Sequence, residues 1–124
     1  MKLKSTYKVK VEIAGEGSFT CTFKRRKQNE SLRDSRALAR LHKQRTDTED
    51  PDERIDLMTK ELAVLSSSLI EIDGLENDDG TKVTVEQFLA NELYEDITLA
   101  VLRAHTEYVT GRDSDAKKKK GSDS

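Results

Sequence analysis

Tyr7, Val9, Val11 and Ile13 alternate with Lys8, Lys10 and Glu12, and shortly afterwards Phe19, Cys21 and Phe23 alternate with Ser18, Thr20 and Thr22. A period of two puts each apolar set on one face of a strand. Between the runs lies Ala14-Gly15-Glu16-Gly17, whose glycines can take the positive φ that a tight hairpin loop demands. The chain is therefore expected to open with a β-hairpin over about residues 6–26. Two strands alone are marginal in water, so the face made by Tyr7, Val9, Val11, Ile13, Phe19 and Phe23 must pack on helices or on another chain. Cys21 reads as a small core residue, not a nucleophile, because nothing in the sequence brings His42 or His105 to it.

The remainder has helical signals. Residues 30–46 favour helix, but Leu32, Leu38 and Leu41 form a thin apolar stripe among arginines, which predicts a peripheral or mobile element. Asp50-Pro51-Asp52-Glu53 is a helix start, with Asp50 as cap, Pro51 in the first turn and Glu53 at capping-box spacing. Ile55, Met58, Leu62, Leu65 and Leu69 then mark a buried face over about 51–68, ending where Ser66, Ser67 and Ser68 weaken helix propensity. Thr84 and Gln87 form a second capping pair ahead of a short helix, 85–91. Leu93, Tyr94, Ile97, Val101, Ala104 and Tyr108 line a longer one, 93–110, with Gly111 as its stop. The segment 112–124 has no apolar residue but Ala116 and reads as a disordered tail.

With 124 residues, the chain is expected to be one α+β domain, a hairpin packed on a small helical body spanning 1–111. Charged residues make up 37% and hydrophobic residues 34%, without Trp, so the expected core is small. A net charge of −2 gives no general drive toward nucleic acid or anionic membrane. Its distribution says more: Lys24–Arg45 carries nine Lys/Arg against Glu30 and Asp34, whereas Asp47–Glu61 and Glu71–Asp96 are strongly acidic. These blocks should attract one another or partners of opposite sign. A single cysteine and no signal peptide place the chain, as an expectation, in a reducing cytosol. No apolar run approaches the roughly 20 residues that span a bilayer.

Several places in the chain could hold specific chemistry. The acidic stretch with Asp73, Gly74, Glu76, Asp78, Asp79 and Gly80 invites a calcium reading. With Gly80 at position six of an EF-hand loop, Asn77, Asp79 and Glu86 fall at positions three, five and twelve, but Leu75 occupies position one and Lys82 the usual apolar position. An acidic solvated turn fits better. His42 and His105 lack Cys or His neighbours at zinc spacing, so each is expected at the surface or its boundary. Glu92, Glu95 and Asp96 read as charges complementing a helix start, not as a catalytic pair. No catalytic, metal or cofactor residues are assigned. The Lys24-Arg25-Arg26-Lys27 run and the basic helix after it could neutralise phosphates, although no aromatic is interleaved and no helix-turn-helix is evident.

One stretch carries a resemblance. Ile72-Asp73-Gly74, the acidic turn to Asp79-Gly80, the run Val83-Thr84-Val85-Glu86-Gln87-Phe88-Leu89 and a helix with Tyr94, Ile97 and Ala104 resemble tail assembly chaperones of long-tailed bacteriophages, over about residues 62–108. Many of these have Trp where this chain has Ile72. The resemblance implies a non-enzymatic protein of the infected bacterial cytoplasm. Such a protein binds the tape measure protein, keeps its apolar helices soluble and helps recruit the major tail protein. It also implies a longer product made by ribosomal frameshifting near the end of the frame. Lys117-Lys118-Lys119-Lys120 followed by Gly121 lies there, and lysine codons are adenine-rich. On that basis Phe88, Leu89, Leu93 and Tyr94 are the candidate contacts with client helices or sister copies, unless they are simply core. Two alternatives stay open: a small regulatory nucleic-acid-binding protein using 24–45, and a minor structural protein of the virion.

Overall fold

A computed structural model describes residues 1–111 with their side chains. The expected tail, 112–124 with Lys117–Lys120, lies outside the described residues. The chain is α+β, with elements in the order β1 (Thr6–Ile13), β2 (Gly17–Lys24), α1 (Gln28–Asp47), α2 (Pro51–Leu65), β3 (Leu69–Asp73), α3 (Val85–Leu89) and α4 (Glu95–Ser122), which does not stop at Gly111 as expected.

The hairpin forms as its alternation dictates. β1 and β2 pair antiparallel with Val9 opposite Cys21 and Val11 opposite Phe19, and all four side chains are buried. The amide of Glu16 donates to the Ile13 carbonyl at 3.0 Å, and Gly15 has φ +80°, the value that the third residue of a type II turn takes. Cys21 is fully buried, and burial pushes its thiol up to about 12, so it is protonated at neutral pH and packs as an apolar group.

The sheet has a third strand that periodicity did not predict. β3 pairs antiparallel with β2, making the order β1-β2-β3. Phe23 pairs with Leu69 but Thr22 with Glu71, so Ile70 is the extra residue of a bulge. A bulge breaks strict alternation: Leu69 and Ile72 are buried, whereas Ile70 and Glu71 both face solvent. Strict alternation would instead have placed Ile70 and Ile72 together.

Helices cover the sheet's apolar face. α4 packs against β1 and α3 against β3, α2 packs on α3, and α1 lies along α2. One core joins Phe19 and Phe23 of the sheet to Leu62 and Leu65 of α2, Phe88 of α3 and Val101 of α4. α2 begins as expected, the Asp50 carboxylate accepting the Asp52 amide at 3.0 Å. Glu53 does not close the capping box; its carboxylate accepts from the Thr48 hydroxyl at 2.8 Å. The helix ends at Leu65, earlier than 68, where the hydroxyls of Ser66, Ser67 and Ser68 donate to carbonyls of the last turn and compete with its backbone bonds. Its buried face is Leu57, Met58, Glu61, Leu62 and Leu65, while Ile55, expected inside, is 57% exposed.

α4 starts at Glu95, two residues later than expected, and its inner line runs Thr98, Val101, Leu102 and His105. The polar members hid this line from a reading of apolar spacing. His105, expected near the surface, is instead buried against Phe23, with ring centroids 4.6 Å apart, and its Nε2 lies 3.0 Å from the Tyr7 hydroxyl. Tyr7 in turn stacks on Tyr108 at 5.0 Å. Burial pushes the His105 imidazole down to about 4, with Asp34 acting weakly in the other direction.

The unfolded chain, with an ordinary imidazole near 6.5, therefore binds a proton before the folded one as pH falls. The stability due to neutral His105 is complete above about pH 6.5 and is lost progressively toward pH 4, by up to about 3 kcal/mol. Urea unfolding at pH 7, 5.5 and 4.5 checks this. A His105→Gln variant should show a shallower decline than the parent; equal slopes would exclude His105 as its source.

Candidate functional site

The acidic stretch between β3 and α3 is a small closed structure. Glu76 and Lys82 form an antiparallel bridge, Val83 donates to the Leu75 carbonyl at 3.0 Å, and Asn77 donates to the Thr81 carbonyl at 2.7 Å. Gly74 and Gly80 take φ of +89° and +87°, which only glycine adopts without strain. The Asp79 carboxylate accepts from the Thr81 hydroxyl at 2.6 Å and its amide at 3.0 Å, and these bonds hold its pKa below the ordinary carboxylate value. Asp79 thus folds the turn upon itself, as Asx side chains do in loops. Among the described residues, no three His, Cys, Asp or Glu side chains form a metal-holding group.

Two side chains fasten this turn to the helices that follow. Thr84 caps α3 by accepting the Gln87 amide at 3.0 Å. The Gln87 side chain, expected to complete that cap, reaches back to Asn77 in a reciprocal amide pair of 2.6 and 3.2 Å. Ahead of α4, the Tyr94 hydroxyl donates to Asp78 at 3.0 Å, and that bond, with the carboxylate's charge, raises the Tyr94 pKa.

Between the turn and the start of α4 lies an open hollow of about 650 Å³. Its apolar floor is Leu75, Val83, Leu93 and Ile97, and Tyr94 stands on its edge. A second hollow, about 330 Å³, lies between α2 and the α3–α4 junction and is lined by Ile55, Met58 and Leu93 among others. Leu93 lines both, so the two hollows adjoin, and the apolar side chains along them make a strip that includes Ile55 and Tyr94, 57% and 69% exposed.

The four candidate contacts separate by burial. Phe88 is completely buried and belongs to the core, so in this conformation it is closed to a partner. Leu89 and Leu93 are both half-buried and pack against the same core. Leu93 also borders the strip, and Tyr94 is exposed on it. Ile55 was missed because its helical spacing matches the buried stripe; only the position of α3 and α4 along α2 leaves it uncovered.

The charge blocks meet at one place. Arg45 and Glu61, 7% and 2% exposed, form a fork between α1 and α2 in which Nε donates to Oε2 at 2.6 Å and Nη2 to Oε1 at 3.3 Å. Nη2 also lies 3.0 Å from His42 Nδ1. Arg26 pairs with Glu30 and Asp34, while Arg33, Arg36, Arg40 and Lys43 are exposed along α1. No helix among the described residues is long and apolar enough to cross a membrane. No protein family, curated protein or solved structure matches the chain.

Proposed function

We propose that this protein is a non-enzymatic tail assembly chaperone of a long-tailed bacteriophage, acting in the host cytoplasm. It binds the tape measure protein, keeps that client's long helices soluble and helps recruit the major tail protein. The observation that carries the proposal is the apolar strip from Ile55 through Leu93 to Tyr94. It adjoins the turn and short helix on which the family resemblance rests. Large apolar side chains left in the open on so small a domain suit contact with another chain, and a groove of this kind suits a client helix. Frameshifting at Lys117–Lys120 remains part of the proposal through the resemblance and the adenine-rich codons that lysine uses.

The alternative of nucleic-acid binding would use the exposed cations of α1. It ranks second, because seven exposed cations of the 24–45 block supply charge without a groove-reading element.

Co-expression with a tape measure protein tests the proposal. The client's soluble fraction should rise severalfold with the wild-type chain, and Ile55→Ser combined with Tyr94→Ala should cancel most of the gain. A client no more soluble with the chain than without it refutes the chaperone role.

A further inference from the structure

We infer that the strip receives an amphipathic helix of the client whose flanks carry Lys or Arg where it crosses the turn, an inference that rests on the chaperone reading. The charged lining of the larger hollow is Glu16, Glu76, Asp78, Asp79 and Glu92, with no cation among them. None of the five is in a salt bridge among the described residues; the nearest basic side chain of the turn, Lys82, pairs with Asp73. In the smaller hollow the lining charges balance, with Arg54 and Glu95 both present. The lining itself is therefore negative at the turn end and balanced at the α2 end.

An entering helix presents apolar side chains three or four residues apart, and the two hollows beside Leu93 offer places for them. Glu or Asp on its flanks would meet the five carboxylates that line the larger hollow, whereas Lys or Arg there gains attraction and faster encounter. The complementarity places the basic residues of the helix over Glu76 and Glu92 and its apolar ones against Leu93, Ile55 and Met58. The exposed face of α1, with Leu32 beside Arg36 and Arg40, has the same chemistry, so a second copy of this chain is the competing occupant.

Two synthetic peptides of about 20 residues, long enough to hold a helix, serve as probes: one with a leucine stripe flanked by lysines, the other with the same stripe flanked by glutamates. Fluorescence anisotropy with the full chain should show binding of the lysine peptide, weakening with salt, and none of the glutamate peptide. The double variant Glu76→Lys/Glu92→Lys, checked for native circular dichroism, should weaken the lysine peptide about tenfold. Arg36→Glu/Arg40→Glu should leave binding unchanged. Equal binding of the two peptides, no binding of either, or indifference to the Glu76/Glu92 reversal overturns the inference. So does sedimentation showing a self-associated chain that the Arg36/Arg40 reversal converts to monomer with a newly available groove.

Co-expression separates the two levels. A client solubilised equally by the Glu76/Glu92 variant docks elsewhere, which refutes this inference and leaves the chaperone role standing. A lysine peptide that binds beside a client left insoluble refutes the chaperone role while the groove's preference for a basic helix holds.

Discussion

Replacing Glu61 with alanine should lower folding stability by about 3–5 kcal/mol, the range found when one partner of a buried ion pair is removed. The Arg45 guanidinium is 7% exposed and makes both carboxylate bonds of its fork to Glu61. Without them it keeps one side-chain hydrogen-bond partner, His42, and a largely desolvated charge. Arg45→Met combined with Glu61→Leu has a different expected result, from neutral to about 4 kcal/mol more stable, because both desolvated charges disappear together. Urea titrations of the single and double variants check this, provided the dependence on denaturant is unchanged. A Glu61→Ala protein within 1 kcal/mol of wild type, on the order expected for an exposed pair, would mean that the fork is open to water. The α1–α2 hairpin is the part at stake, since Arg45 and Leu41 are the buried residues of α1.

Phe88→Ala should also lower stability by about 3–5 kcal/mol, through lost burial and the cavity left behind. Its ring is fully buried where α3 meets the core shared by the sheet, α2 and α4. Tyr94→Ala should stay within about 0.5 kcal/mol of wild type, as surface substitutions do, because Tyr94 is 69% exposed and gives up one exposed hydrogen bond to Asp78. Thermal and urea unfolding measure both. The contrast separates two residues that look alike in the sequence: Phe88 belongs to the core, and Tyr94 is part of the strip. A Phe88→Ala protein of unchanged stability that no longer solubilises the client would place Phe88 at the contact and refute its role in the core.

The hairpin was legible in the residues because every alternating position obeys one period, and its turn glycines sit where the backbone needs them. Both helix caps were legible for a similar reason: Asp50 and Thr84 bond to amides two and three residues away, which is a local matter. β3 was not, because the bulge at Ile70 removes the alternation by which strands are recognised. His105 was misplaced because a polar residue carries no apolar signal, although its burial is stabilised by Tyr7, which lies far from it in sequence. Glu53 and Gln87 had the spacing of capping residues, but each found a better partner in the tertiary structure, Thr48 for one and Asn77 for the other.

The candidate site divides in the same way. Residue types alone marked the acidic stretch, its two glycines and the apolar run behind it, and the resemblance placed Leu93 and Tyr94 among the candidates. They could not say that Phe88 points inward and Tyr94 outward, since helical spacing is the same for a residue that is covered and one that is not. Nor could they bring Ile55 to Leu93, or leave five carboxylates around one hollow without a cation. Short-range geometry determines turns, caps and pairing within a hairpin, and the sequence states these directly. Which apolar faces remain open depends on how long-range packing fills the core, and only the tertiary structure decided that.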